Sequence, residues 1–446
     1  MSDVTPRSGL SEPRGGINSN QFANLPVSWL VGAGALALVS FANLISLYDG
    51  DADTTTTLDL QSLLKLGFVG SLGLYSVQRM WAEPGMFRLM LGVPGGFLSG
   101  IAVWLLFTSL LSSSPAVSLA SALASTACIW GAMGGVLQLG PERVLRICFW
   151  ACLAFLAGSW ALWILDREAA TFLEPIDNGE FVARFGGLSH PNAIGQFSGL
   201  VIVLCCLLLG PRISSSRDKL VFWIGLLLGC MSLLACASRT SILATGLSLA
   251  FAWRSELFRG RALIAMFGIG TLVLAGLLVF SLEPSTSRKL SDRLLNVISK
   301  SGTTEELASG TGRSLIWAES IRLIAERPLT GYGPATSKDL LADFTRYTHN
   351  MLLNVGLSGG VLPMLLLGLA FAYGFGQILT APQVLPDSLF LFLFLNGLAE
   401  NVCFLVLDSA PMVILTTVLV WRKVDTGLST KRPTDLDNLN SVGALP

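Results

Sequence analysis

The sequence predicts an all-α protein: a polytopic transmembrane helix bundle of about 12 spans with a large helical loop on its outer side. Three observations carry that prediction. Hydrophobic residues make up 52% of the 446 residues and charged residues only 13%, with a mean hydropathy of +0.65, whereas soluble domains carry roughly 25% charged residues. The apolar residues come in runs near the length that crosses a bilayer, about 20 residues. Lysine and arginine fall on alternate connections between those runs, the bias that orients membrane helices.

Residues 1–25 are polar and lack an apolar core preceded by basic residues, which reads as a disordered cytoplasmic tail and not a cleaved leader. Candidate spans follow near 27–47, 58–78, 91–111, 117–138, 144–165, 193–210, 220–237, 240–253, 262–281, 351–379, 388–407 and 410–421, the eighth and twelfth being short. Nine of them thus occupy 26–280 and three occupy 349–421, on either side of the loop at 281–348, and 422–446 forms a second cytoplasmic tail. The inside connections hold Arg79, Arg88, Arg143, Arg146, Arg212, Arg217, Lys219, Arg254, Arg259 and Arg261, joined by Arg422, Lys423, Lys431 and Arg432. The outer connections DGDADTTTT and SSSPAVS hold none; one inside connection, TAPQVLPD, also lacks a basic residue.

Two outer connections are longer, 166–191 and 281–348, the second about 68 residues. Loops of more than about 15 residues are usually functional. Within the second, Leu315, Ile316, Ile321, Leu323 and Ile324 recur at helical spacing with Glu319, Arg322 and Glu326 between them, and Pro328 ends the helix. The zero formal net charge argues against a nucleic-acid partner. The eight cysteines lie in apolar runs, with no CxxC or Cys/His cluster, so neither a disulfide framework nor a zinc site is expected. The pattern GxxxxGK[ST] is absent, which argues against an ATP-driven machine.

Four polar clusters fall on the outer side: Arg184, His190 and Asn192; Ser238-Arg239-Thr240; Gly310-Thr311-Gly312-Arg313; and Thr348-His349-Asn350. Arg239 sits at an apolar turn, where an arginine is costly and is paired or functional. Its fork of donors matches the oxygens of a lipid diphosphate headgroup; otherwise it snorkels to water or lipid phosphate. His349, one of two histidines in the chain, has the intrinsic basicity to accept a proton from a sugar hydroxyl, or else it only satisfies backbone groups at a helix end. His190 precedes Pro191, which disfavours helix at that position, and Asn192 can cap the next span; a structural or substrate-lining role fits His190. Glu400, with Asn401, either packs internally or faces the site, and Lys65 is the other ionisable residue singled out within a span.

These motifs, in this order, resemble the O-antigen ligase and O-antigen polymerase superfamily. The resemblance rests on Arg184-Phe-Gly-Gly-Leu-Ser-His-Pro-Asn192, Ser238-Arg239-Thr240, Gly312-Arg313 through Trp317, Pro328 through Gly333, and His349-Asn350 with Gly359-Gly360, over residues 180–365. It implies a GT-C-type glycosyltransferase in the inner (cytoplasmic) membrane acting at the periplasmic face, the side on which the lysine and arginine bias puts the large loop, with both termini cytoplasmic. Its donor would be an undecaprenyl-diphosphate-linked glycan, and its acceptor a lipid or glycan hydroxyl, or sometimes protein. Neither cofactor nor metal is implied. By carry-over, Arg239 and Arg184 would hold the diphosphate and His349 would be the catalytic histidine, with His190, Asn192, Arg313 and Asn350 lining the substrate. The run beyond Gly360, Val-Leu-Pro, departs from the lipid A–core ligases and leaves the acceptor open. A polysaccharide or lipid-linked glycan transporter is the alternative, but a flippase places its charges near mid-bilayer and here they gather at one surface.

Overall fold

The computed structural model describes residues 60–175, 181–254, 313–342, 347–404 and 409–429. The expected tail at 1–25, the spans near 27–47 and 262–281, most of the loop before Arg313, and the tail beyond Ser429 lie outside the described residues. What is described is overwhelmingly helical. In order come α1 (Leu60–Ala82), α2 (Pro84–Leu91), α3 (Gly95–Ser109), α4 (Pro115–Leu139), α5 (Pro141–Leu165), a hairpin of β1 (Thr171–Pro175) and β2 (Phe181–Phe185), α6 (Pro191–Leu204), α7 (Ser216–Ala235) and α8 (Arg239–Ala252). After the segment outside the described residues follow α9 (Arg313–Glu326), α10 (Ser337–Leu340), α11 (Met351–Gly359), α12 (Val361–Thr380), α13 (Val384–Gly397) and α14 (Ser409–Ser429).

Among the described residues, five helices are long and apolar enough to cross a membrane: α4, α5, α6 continued to Arg212, α7 and α12. Joining α2 and α3, which meet at 84°, would make a sixth. The count of about 12 is not settled by these residues. Four expectations are revised in detail. The run 351–379 is two helices, because Gly360 at φ 79° and ψ −164° interrupts it. That conformation is essentially open to glycine alone. The run 388–407 is helical only to Gly397, and residues 398–404 take an irregular path. The last helix runs on to Ser429, past the expected end at 421. The all-α expectation misses the antiparallel hairpin, in which Thr171 pairs with Phe185 and Pro175 with Phe181.

Helix ends follow local chemistry. Pro191 starts α6 at a position where no amide hydrogen is needed, and Ser215 and Asp218 form a capping box on α7. Lipid offers no hydrophobic drive between helices, so close packing and interhelical hydrogen bonds hold them. At α6, α8 and α13, a Cβ added to Gly199 would lie 2.4 Å from Phe392 Cε2 and 2.5 Å from Thr245 Oγ1. Ser241 Oγ donates to Asn396 Oδ1 across the same contact at 3.0 Å, a bond worth about 0.6 kcal/mol in a membrane setting.

A second device locks the break between α11 and α12. The loop 328–334 threads along it: Tyr332 N–H donates to Leu357 O and Gly333 N–H to Ser358 O, both at 2.9 Å, and Val361 N–H returns to Pro328 O at 2.7 Å. Trp104 Nε1 donates to Gly359 O at 2.8 Å. The end of α11 is thereby fixed relative to α3 and the loop, and His349 precedes the other end of the same nine-residue helix. At the start of α13, Arg422 NH2 holds both oxygens of Asp387, at 2.9 and 3.1 Å. Glu400 lies beyond the other end of α13, about 20 Å away at 1.5 Å per residue.

Candidate active site

Residues far apart in the sequence close on one carboxylate. Where α13 ends, the chain turns, and Glu400 N–H donates to Asn396 O at 2.8 Å. The turn points the Glu400 side chain inward, where it is only 6% exposed. A buried carboxylate is tolerated when it is paired and hydrogen-bonded, and Glu400 is both. Its Oε1 accepts from Arg313 NH2 at 2.5 Å and from Asn192 Nδ2 at 2.8 Å. Its Oε2 lies 3.0 Å from His349 Nδ1. Burial alone would raise this carboxyl; the His349 hydrogen bond and the Arg313 charge outweigh it, and the net direction is down. Glu400 is therefore ionised at neutral pH.

An ionised carboxylate only accepts hydrogen bonds. In the neutral form of the imidazole, the 3.0 Å contact places the hydrogen of His349 on Nδ1, and Nε2 then carries the lone pair. This is the orientation in which a carboxylate–histidine pair acts as a general base.

His349 itself has φ 49°, a left-handed conformation rare outside glycine, asparagine and aspartate. The neighbouring backbone imposes it. Asn401 Oδ1 accepts from Thr348 Oγ1 at 2.8 Å and from Asn350 N–H at 3.0 Å, one residue on each side of the histidine. Asn350 Oδ1 caps Leu353 N–H at 3.0 Å, and its Nδ2 donates to Leu398 O at 2.9 Å. From α9, Trp317 Nε1 donates to Thr348 O at 3.1 Å. Residues 398–401 thus grip 348–350 side by side.

Arg184, on β2, is buried, and four of its five N–H donors are engaged within the protein. NH1 bonds Glu174 Oε2 at 2.6 Å, NH2 bonds Asn192 Oδ1 at 3.2 Å and Cys236 O at 2.7 Å, and Nε bonds Cys236 O at 2.9 Å. It therefore ties the hairpin to Asn192 and to the turn that precedes Arg239. In that turn Ala237 has φ 49°, and Ser238 Oγ meets Ser241 Oγ at 3.1 Å. Arg239 then opens α8, half-buried.

His190 is the N-cap of α6; its Nδ1 accepts from Asn192 N–H at 3.2 Å, and its ring meets Phe172 edge-on. Part of its surface is open to solvent, yet protein crowds it. That desolvation outweighs Glu400 and pushes the imidazole down to about 4, so it is neutral at pH 7. Accepting at Nδ1, it carries its hydrogen on Nε2, the opposite tautomer to His349.

The structure thus gathers Arg184, Asn192, Arg313 and His349 into one network, with His190 capping beside it and Asn350 capping α11. The residue that joins them, Glu400, was only a two-way reading in the sequence. Its signal was an ionisable residue inside a nominal span. Asn401 and Glu174 carried no signal of their own. Among the described residues, no three of His, Cys, Asp and Glu converge as a metal site would need. Residues 220–368 match the family model described as O-antigen ligase. No curated protein matches the chain.

Proposed function

We propose, from the match of residues 220–368 to the O-antigen ligase family model, that the chain is a membrane glycosyltransferase that moves a glycan from a polyprenyl-diphosphate donor to an acceptor hydroxyl at the periplasmic face. The observation that carries this reading is the His349–Glu400 pair at 3.0 Å with Arg313 on the second carboxylate oxygen. His349 Nε2 takes the proton of the acceptor hydroxyl as its oxygen attacks the anomeric carbon. The new C–O bond forms as the bond to the diphosphate breaks, and the electron pair leaves with the polyprenyl diphosphate. Arg239 and Arg313 stabilise that departing charge. Attack opposite the leaving group inverts the anomeric centre.

In this scheme Arg184 acts through the Arg239 turn, since four of its donors are already engaged. Asn192 holds Glu400, His190 lines the substrate beside it, and Asn350 fixes the helix behind the base. Proximity supplies much of the remaining acceleration, because donor and acceptor are confined to one surface. The membrane is the inner one and both termini are cytoplasmic, a reading supported by Arg254, just past the end of α8 away from Arg239, and by Arg422 of α14, which bonds Asp387 at the end of α13 away from Glu400. No metal is required for these steps.

The test is transfer by purified protein in proteoliposomes holding lipid-linked glycan and acceptor. His349→Ala and Arg239→Ala abolish product while insertion and expression stay at wild-type levels. Full transfer by either variant overturns the mechanism.

A further inference from the structure

We infer that the β1–β2 hairpin is a membrane-seated element whose outer face lies against lipid. Side chains alternate across a strand, and cross-strand partners share a face. The register therefore sorts the hairpin into two unlike sides. One side carries Phe172, Glu174, Val182 and Arg184, and its Glu174–Arg184 pair belongs to the network around Glu400. The other carries Thr171, Leu173, Pro175, Phe181, Ala183 and Phe185, with no charged group among them. Of these Phe185 is buried, stacked on Trp160 of α5 at 4.6 Å; Leu173 is 59% exposed and Phe181 65%.

What covers that face follows from what it continues. Trp160 belongs to a membrane-length helix and donates to Ser232 of α7, a second such helix, at 2.8 Å. At the ends of these two helices Leu165 is 84% exposed and Leu234 73%. Exposed apolar side chains on a spanning helix meet hydrocarbon. The level of the boundary is marked by Trp163, with the Arg167 guanidinium 5.1 Å from its ring; tryptophan and snorkelling arginine collect at that depth. The hairpin starts four residues beyond Arg167. Its apolar face is continuous with the lipid-facing surface, and a two-stranded hairpin with such a face in water would be marginal at best. Arg184 sits on the same strand as Phe181, so seating in the lipid also fixes the strand that holds the Arg239 turn. This assignment does not depend on the transfer reaction.

The experiment is photo-crosslinking of the full-length protein in phosphatidylethanolamine–phosphatidylglycerol nanodiscs. p-Benzoylphenylalanine is incorporated at Phe181, at Leu227 (mid-span on α7) as the lipid control, and at Lys338 (exposed on α10) as the aqueous control. Adducts are read by mass spectrometry. Phospholipid adducts at position 181 at a yield within a few-fold of position 227, with none at 338, are expected. Lipid yield at 181 as low as at 338 overturns the proposal, as does cross-linking mainly to another segment of this chain or to a second copy. Leu173, on the same face, gives an independent position with the same expectation should the label at 181 impair folding.

Discussion

Replacing Glu400 by glutamine exchanges one oxygen for an amide nitrogen and should remove most of the catalysis. The wild-type carboxylate receives three donors: Arg313 and Asn192 on Oε1, at 2.5 and 2.8 Å, and His349 on Oε2, at 3.0 Å. Glutamine offers one acceptor oxygen and one amide. If the oxygen turns to His349, the amide faces the hydrogens of Arg313 and Asn192. The better arrangement keeps the oxygen on those two donors and presents the amide to His349 Nδ1. The imidazole must then accept at Nδ1, its hydrogen moves to Nε2, and the base is lost. General-base catalysis contributes roughly 10²–10⁴-fold, and holding a catalytic histidine in the wrong tautomer lowers kcat by about 10⁴. Glu400→Gln should therefore lower kcat by about 10²–10⁴, or about 3–5 kcal/mol of barrier, with KM changed by no more than a few-fold. The assay is single-turnover transfer in proteoliposomes at saturating donor, with expression and thermal stability measured on the same preparation. A kcat within three-fold of wild type, from protein that inserts normally, would refute the assignment of the dyad.

Three further outcomes follow from the same geometry. Gly360→Ala places a Cβ 2.3 Å from Pro328 O at φ 79°, in a region that costs of order 1–3 kcal/mol for other residues; melting in detergent should fall by several degrees, and an unchanged transition would contradict the lock at the α11–α12 break. Arg184→Lys keeps the charge but cannot reproduce bonds to Cys236 O, Glu174 and Asn192 together; it should lower both stability and transfer, and wild-type values for both would remove the anchoring role. The third concerns pH. The Glu400 carboxyl is held below its ordinary value of 4.5, so the unfolded chain takes up that proton first. Its contribution is full above about pH 4.5 and lost as pH falls through the lower folded value. Wild-type melting temperature should drop more steeply below that pH than that of Glu400→Gln; parallel curves would show that Glu400 is not held ionised.

Much of this was legible in the sequence, for identifiable reasons. Spans are set by length and apolarity, so the runs at 117–138 and 144–165 correspond closely to α4 and α5. Histidine scarcity singled out His349, and the arginine at an apolar turn singled out Arg239. Glu400 was harder because the apolar run 388–407 gives no sign that the helix stops at Gly397, and only the stop turns the carboxylate toward His349. The interruption at Gly360 looked like a glycine pair within a span. Its cause is the loop 328–334, whose hydrogen bonds to residues 357–361 no local pattern encodes. The hairpin does have a local signal, Asn178-Gly179 between two short runs with strand-forming residues, a combination that favours tight turns. The bonds of Arg184 to Glu174 and Cys236 are not legible locally, because they are contacts of the folded chain alone.

The central claim is that a glycosidic bond forms at this site and that the molecule does not carry a glycan across the bilayer. It is tested most directly by reconstituting purified protein with lipid-linked glycan and acceptor in the same leaflet, and measuring glycosylated acceptor and released polyprenyl diphosphate together. The account predicts both products in equal amounts from wild type and neither from His349→Ala. Appearance of intact lipid-linked glycan in the opposite leaflet, with no new bond and no released diphosphate, would contradict it.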